Sequence, residues 1–189
     1  MQQEYNPELF VDIDLPLSPG TRLRAIRPSD ACALYPIVEK ERAYLAEWLA
    51  WAPACTLESL EAFLQVAHDD MLKGSSLVCG IEQDGALIGM ISIDSIDRVN
   101  LRAHFGYWLS QEHHGKGIMT ASLRTLLDYG FNRLGLHRLV VEAAETNLRS
   151  RNVAERAEMH LEATLRDRFR LNDTWHNGVL YVALNPVNS

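Results

Sequence analysis

The stretch Phe105–Thr120, FGYWLSQEHHGKGIMT, constrains this chain most. It divides into an apolar strand, FGYWLS, a polar turn, QEHH, and the opening of a long helix, GKGIMT. Glycines at a strand-to-helix turn adopt conformations that other residues resist and let a ligand approach the main chain. The first N–H groups of a helix lack intrahelical acceptors and sit at the positive end of its dipole, so such a turn favours a phosphate. Lys116 adds a mobile positive charge. The segment reads as a pyrophosphate cradle beside a strand edge. By itself a Gly-x-Gly turn also suits an ordinary tight turn before a helix.

A length of 189 residues suits one domain with a single core. With 47% apolar and 23% charged residues the chain has a globular composition. No apolar run approaches the length that spans a bilayer. The N-terminus, MQQEYNPELF, is too polar for a signal peptide, so the expectation is a cytoplasmic protein with no membrane partner. A net charge of -7 argues against general nucleic-acid binding and leaves room for an amine substrate. Cys32, Cys55 and Cys79 are odd in number, lack metal-ligand spacing and read as reduced thiols. His113 and His114 have no carboxylate or cysteine companion at ligand spacing, so no metal is expected.

Taken in order, residues 1–20 are an extension with an edge strand over Leu9–Leu15, and residues 21–186 form one domain. Thr21–Ile26 alternates as a strand, and Pro28-Ser29-Asp30 opens a helix running to Glu41. Tyr44–Ala52, YLAEWLAWA, is a short helical piece ended by Pro53. Trp48 and Trp51 share its face, either as core or as a cap over a pocket. Thr56 caps a helix to Leu72, and Asp84-Gly85 joins the strands Ser76–Glu82 and Ala86–Ile96 in a hairpin. The strand Leu101–Ser110 follows, then a helix from Ile118 to Leu134 and a β-branched strand over Arg138–Ala143. A helix over Asn147–Ala157 precedes two final strands, His160–Leu171 and Val179–Leu184, around a turn at residues 172–178.

This order and three motifs together resemble the GNAT acetyltransferase superfamily. More narrowly they resemble its ribosomal-protein branch, which modifies an N-terminal serine. The motifs are WLAW at 48–51, IDRVNLRAHFGYWLS at 96–110 with HGKGIMT at 114–120, and HRLVVEAAETNLRSRNVAER at 137–156. The resemblance implies an α/β (α+β) GNAT fold, a mixed, mostly antiparallel sheet of about seven strands with about four helices. It also implies a V-shaped splay between the fourth and fifth strands, FGYWLS and RLVVEA, that holds the pantetheine arm of acetyl-CoA. Splayed strands leave N–H and C=O groups that an amide-bearing arm can pair with. The pyrophosphate would then lie on the backbone of Gly115, Lys116, Gly117, Ile118, Met119 and Thr120, with His114 either an exposed loop residue or a partial positive charge near the phosphate. His114 stands where the family has Gln or Arg, and Met119 where it has Gly or Ala. Asn147 would hold the pantetheine, and Ser150 would bond the CoA sulfur and help protonate the leaving thiolate. Both residues also suit the first turn of a helix.

Acetyl transfer needs a neutral amine and a donor for the tetrahedral oxyanion; the thiolate leaves readily. The resemblance puts that donor on the backbone of Trp108-Leu109. His104 stands where many relatives have a glutamate, Phe169 where some have another, and Asn177 where an aspartate is expected. His104 is the candidate base, since imidazole titrates near neutrality. His176 near the last turn is a second candidate, and Trp175 would line the acceptor mouth or pack; with Trp48 and Trp51 these are the candidate acceptor-binding residues. The expected reaction is acetyl transfer from acetyl-CoA to a protein N-terminal amine. The alternatives are a small-molecule amine (antibiotic, aminoacyl nucleotide, polyamine) and a CoA-binding sensor that has lost catalysis. Many relatives dimerise, so a homodimer is an expectation.

Overall fold

The computed structural model describes residue 6 and residues 8–186; residues 1–5 and 7 of the extension lie outside the described residues. A helical turn α1 (Glu8–Val11) leads into strands β1 (Asp14–Ser18) and β2 (Thr21–Ala25). Helices α2 (Ala31–Lys40), α3 (Arg42–Leu45) and α4 (Leu57–Lys73) follow, then strands β3 (Leu77–Gln83), β4 (Ala86–Asp97) and β5 (Arg102–Leu109). Helix α5 (Ile118–Asn132), strand β6 (Arg138–Ala144), helix α6 (Leu148–Arg156) and the hairpin β7 (His160–Leu171) and β8 (Thr174–Leu184) complete the chain. The strands form one sheet in the order β1-β2-β3-β4-β5-β6-β8-β7. The β5–β6 pair is parallel, and its neighbours β4–β5 and β6–β8 are antiparallel.

The mixed α/β fold agrees with the expectation, with eight strands instead of about seven and six α-helices instead of about four among the described residues. Two of the six, α1 and α3, are four-residue turns. Three local differences have physical causes. Residues 9–11 are helical, not extended: the Asn6 side chain accepts the Glu8 N–H, and Phe10 swings into the core. The edge strand starts later, at Asp14, and tolerates Pro16 because it is outermost in the sheet. The last turn takes only Asn172 and Asp173, with φ of +49° and +60°. These are residue types that accept the left-handed conformation of a two-residue hairpin. Around Trp48 the chain leaves helix after Leu45, because Arg42 reaches forward to the carbonyls of Ala52 at 2.7 Å and Cys55 at 2.8 Å.

Helix α4 shows both end devices. Thr56 and Ser59 exchange side-chain bonds with each other's N–H groups, and Gly74 closes the helix in the left-handed conformation. Helix α5 lies so close to the sheet that a Cβ on Gly130 would come within 2.7 Å of Leu139. The core runs beneath both helices and reaches the extension, where Phe10 is 1% exposed and Tyr129 donates to the Leu9 carbonyl. Replacing Phe10 by Ala is expected to cost about 3–5 kcal/mol, read from the urea midpoint at unchanged slope. A loss within error would show that the extension is not part of the core.

Candidate active site at a parting of parallel strands

Strands β5 and β6 pair only from Arg102 to Phe105, against Arg138 to Val141. Beyond Phe105 they part, as the expected V requires. The Ser110 N–H donates to the Ile88 carbonyl at 2.9 Å. Strand alternation therefore aims the peptide groups of Gly106 and Trp108 at β4, and those of Tyr107 and Leu109 into the gap. Of the two residues expected to supply an oxyanion donor, Leu109 presents its N–H to the gap and Trp108 spends its own in the ladder. His114 Nε2 lies 2.9 Å from the Leu109 carbonyl. A carbonyl only accepts, so this nitrogen carries the proton. The His114 ring also leans on Tyr44, at 5.5 Å between centroids. It is a bracing residue between the strand end and α3.

The gap opens onto a cavity of about 690 Å³. Gly115, Gly117, Ile118, Met119 and Thr120 line one end of it, while Lys116 stands outside the lining and exposed. Gly115 and Gly117 have φ of +74° and +77°, and a Cβ at either would meet no atom within 4 Å. The backbone demands glycine there, and the space beside it is open. Gly117 is the N-cap of α5 and no side chain caps the helix, so its first N–H groups stay available. The side chains of Ile118 and Met119 turn into the core at 8% and 7% exposure. Met119 can therefore differ from the family's small residue, since it offers its main chain to the cavity.

The opposite wall carries Asn147 and Ser150. The Asn147 Oδ1 accepts the Ser150 N–H at 3.1 Å, capping α6. Ser150 Oγ lies 2.9 Å from the Tyr107 hydroxyl, which also donates to the Ser150 carbonyl. Burial pushes the Tyr107 phenol up to about 12, and the bond to Ser150 draws it back only in part. It is protonated at neutral pH. Tyr107 went unnoticed in the sequence because it sits in an apolar run. The available signal was a phenol in phase with buried Phe105 and Leu109, which must find a polar partner.

Trp48 lines the cavity, and Trp51 stands edge-on to the lining residue Trp108 at 6.5 Å. Trp175 and His176 are not brought to the cavity: Trp175 is exposed on β8, and His176 pairs across the hairpin with Phe169. His104 is exposed, outside the lining, and opposite Asp94 in the β4–β5 register. Glu142, Arg149 and Arg156 line the cavity without having been singled out in the sequence. Glu142 is held by Arg168 at 2.7 Å, and the Arg149 guanidinium stacks 5.5 Å over Tyr44, bridging α6 to α3. Phe169 also lines the cavity.

Residues 21–160 match the family described as Acetyltransferase (GNAT) domain. The chain belongs to the GNAT acetyltransferase family. It is 35% identical over 166 residues to "Putative ribosomal N-acetyltransferase YdaF" of Bacillus subtilis (strain 168), covering 86% of this chain and 90% of that one. It is 29% identical to the ribosomal-protein-serine acetyltransferase of Escherichia coli (strain K12), covering 89% and 94% of the two chains. Its fold superposes with a TM-score of 0.88, at 28% identity, on a ribosomal L7/L12 alpha-N-protein acetyltransferase solved in complex with coenzyme A, covering 91% and 98%. The protein is thus an acetyl-CoA-dependent N-acetyltransferase. Among the described residues no helix is long and apolar enough to cross a membrane.

Two substitutions check this geometry. Gly117→Ala forces an L side chain into a left-handed conformation at a cost of about 1–2 kcal/mol. The variant is expected to fold, by its circular dichroism melt, yet to bind acetyl-CoA more weakly by calorimetry. Tyr107→Phe is expected to keep acetyl-CoA affinity within a factor of about two while lowering kcat roughly tenfold, the scale of one lost hydrogen bond in the transition state.

Proposed function

We propose that this N-acetyltransferase acts on the α-amine of a protein N-terminus. The carrying observation is that one cavity reaches both faces of the sheet at the parting of β5 and β6. Tyr107 and Ser150 line it on one face, and Gly106, Trp108 and Glu142 on the other. The donor and acceptor can therefore meet in the gap from opposite sides. The residues present suit acetyl-CoA: an uncapped helix N-terminus for the pyrophosphate, Arg149 and Arg156 for further phosphate charge, and the free peptide edge of β5 for the amides of the arm. Asn147 uses its oxygen as the cap, leaving its NH₂ for a pantetheine carbonyl.

In this reading the amine nitrogen attacks the thioester carbonyl, and the Leu109 N–H receives the charge that develops on its oxygen. The C–S bond breaks, and the thiolate takes a proton from Ser150 Oγ, which Tyr107 orients. An N-terminal acceptor is supported by the ribosomal-protein relatives, and Trp48 in the cavity lining with Trp51 edge-on to Trp108 gives the cavity an aromatic border. A cytoplasmic setting is supported by the free state of Cys32, Cys55 and Cys79.

The test is thermal melting with and without acetyl-CoA, followed by acceptor assays. Acetyl-CoA at a hundred times its Kd is expected to stabilise by about 2.7 kcal/mol, a rise of about 5–11 °C for a domain of this size. Desulfo-CoA should act alike and ATP should not. Peptides with an N-terminal serine are then expected to gain one acetyl group at the α-amine by mass spectrometry. Acetylation confined to polyamines or other small amines would reassign the acceptor, and binding without turnover on any amine would make the protein a CoA sensor.

A further inference from the structure

Strand alternation puts Ser92 and Asp94 of β4 on one face of the sheet, together with their β5 partners Gly106 and His104. That face is opposite the one carrying Tyr107 and Ser150, so it is the face from which an acceptor would enter. Gly106 is the first residue of β5 beyond its pairing with β6, and it lines the cavity. A Cβ on Gly106 would lie 3.2 Å from Asp94 Oδ2 and 3.1 Å from Ser92 Oγ. Asp94, like His104, stands outside the cavity lining, and the absence of a side chain at 106 leaves only open space between its carboxyl and the gap that Gly106 lines. The Ser92 hydroxyl donates to Asp94 Oδ2 at 2.6 Å, and among the described residues Asp94 has no other hydrogen-bond partner.

The neighbouring acidic groups are otherwise engaged. Glu142 is ion-paired with Arg168, and Glu41 is buried against Ser110 and Gln111. Phe169, where the resemblance places a glutamate in some relatives, brings no carboxylate to the cavity. We infer that Asp94 is the group that takes the proton from the acceptor's ammonium, with Ser92 fixing its carboxyl and Gly106 keeping it accessible. This rests on the acetyl-transfer reading above and moves the base from His104 to the residue facing it. Burial raises the Asp94 carboxyl above its ordinary range, and the Ser92 hydrogen bond and then the charge of His104 draw it partly back. A carboxylate so placed accepts a proton more readily than one in open water.

The proton count closes. One proton passes from the ammonium to Asp94, leaving the amine lone pair to form the N–C bond. The C–S bond breaks with its electron pair on sulfur. The nitrogen's second proton replaces the one that Ser150 Oγ gives to sulfur, so Ser150 ends neutral and CoA leaves as the thiol, and the first proton reaches solvent from Asp94 by way of exposed His104. His104 is on this account a positioning and exit group.

The experiment compares wild type, Asp94→Asn, Asp94→Glu, Gly106→Ala and His104→Ala for acetyl-CoA-dependent melting shift, KM and kcat on the best acceptor found. Asp94→Asn is isosteric and is expected to keep the acetyl-CoA shift while kcat falls about 100-fold or more, the scale of a lost general base. Asp94→Glu should recover part of the rate. Gly106→Ala, which keeps the charge but fills the space before it, should also lower kcat. His104→Ala should cost less than Asp94→Asn. Full kcat in Asp94→Asn alongside an active wild type would overturn this inference and leave the acetyltransferase reading standing. A wild type that shifts with acetyl-CoA but acetylates no amine would overturn both, since no transfer would remain for Asp94 to serve.

Discussion

The site depends on two parallel strands being held by different neighbours. The end of β5 is tied away from β6 by Glu41, a carboxylate only 6% exposed. It accepts the Ser110 hydroxyl at 2.6 Å and the Gln111 N–H at 3.0 Å, fastening the strand to the C-terminal end of α2. His113 continues the tie with a 2.9 Å contact to Gln83 on β3. The end of β6 is held the other way: its ladder with β8 runs to Ala144 and Gly178, and Glu145 donates to the Asn177 carbonyl at 2.8 Å. Pairing β5 with β6 along its full length would break one set of bonds or leave the buried Glu41 unsatisfied. A buried charge without partners costs several kcal/mol, so the gap persists without a ligand to hold it open.

From that gap the chemistry follows by strand phase. A residue's N–H and C=O leave a strand on the same side, so one bond from Ser110 to Ile88 decides that Leu109 and Tyr107 offer their peptide groups to a ligand. The same alternation sends the Tyr107 side chain to the α6 face and exposes Gly106 and Trp108 to the other. The proposed mechanism thereby distributes donor binding, thiolate protonation and acceptor entry among four consecutive residues of β5.

Local features carried by residue type were legible in the sequence. The glycine turn, the Thr56 cap, the Asp84-Gly85 hairpin and the Asn147 cap all need only their immediate neighbours to act, and each lies where the sequence put it. Tertiary reach was not legible. Arg42 unwinding the Trp48 segment, Glu41 bracing Ser110 and Arg149 stacking on Tyr44 are pairings across 10, 69 and 105 residues of chain, respectively. No periodicity reports such pairings. Asp94 escaped for a related reason: on an amphipathic strand an alternate polar residue reads as solvated, and only the register with Gly106 shows it beside the gap. Trp175 and His176 fell short because the last turn is shorter than predicted, which changes where β8 begins.

The charge distribution completes the picture. The chain carries a net charge of -7, yet its substrate is a polyanion. Helix α6 resolves the conflict by concentrating arginine at the cavity. Arg149 and Arg156 line it, while Arg151 is drawn aside by Tyr181 and the Glu145 carbonyl. Nearby, Arg124 of α5 reaches across to the Arg156 carbonyl and to Glu158, joining the two helices that flank the cradle. A field falls off within about 8 Å at physiological salt, so the local arginines outweigh the distant acidic surface at the phosphate end. On the opposite face Glu142 is balanced by Arg168, while the Asp94 carboxyl is hydrogen-bonded to Ser92 and feels the charge of His104. In the proposed mechanism the acyl donor meets the arginines of α6 and the amine comes from the Asp94 face, with the reacting atoms meeting where the two strands part.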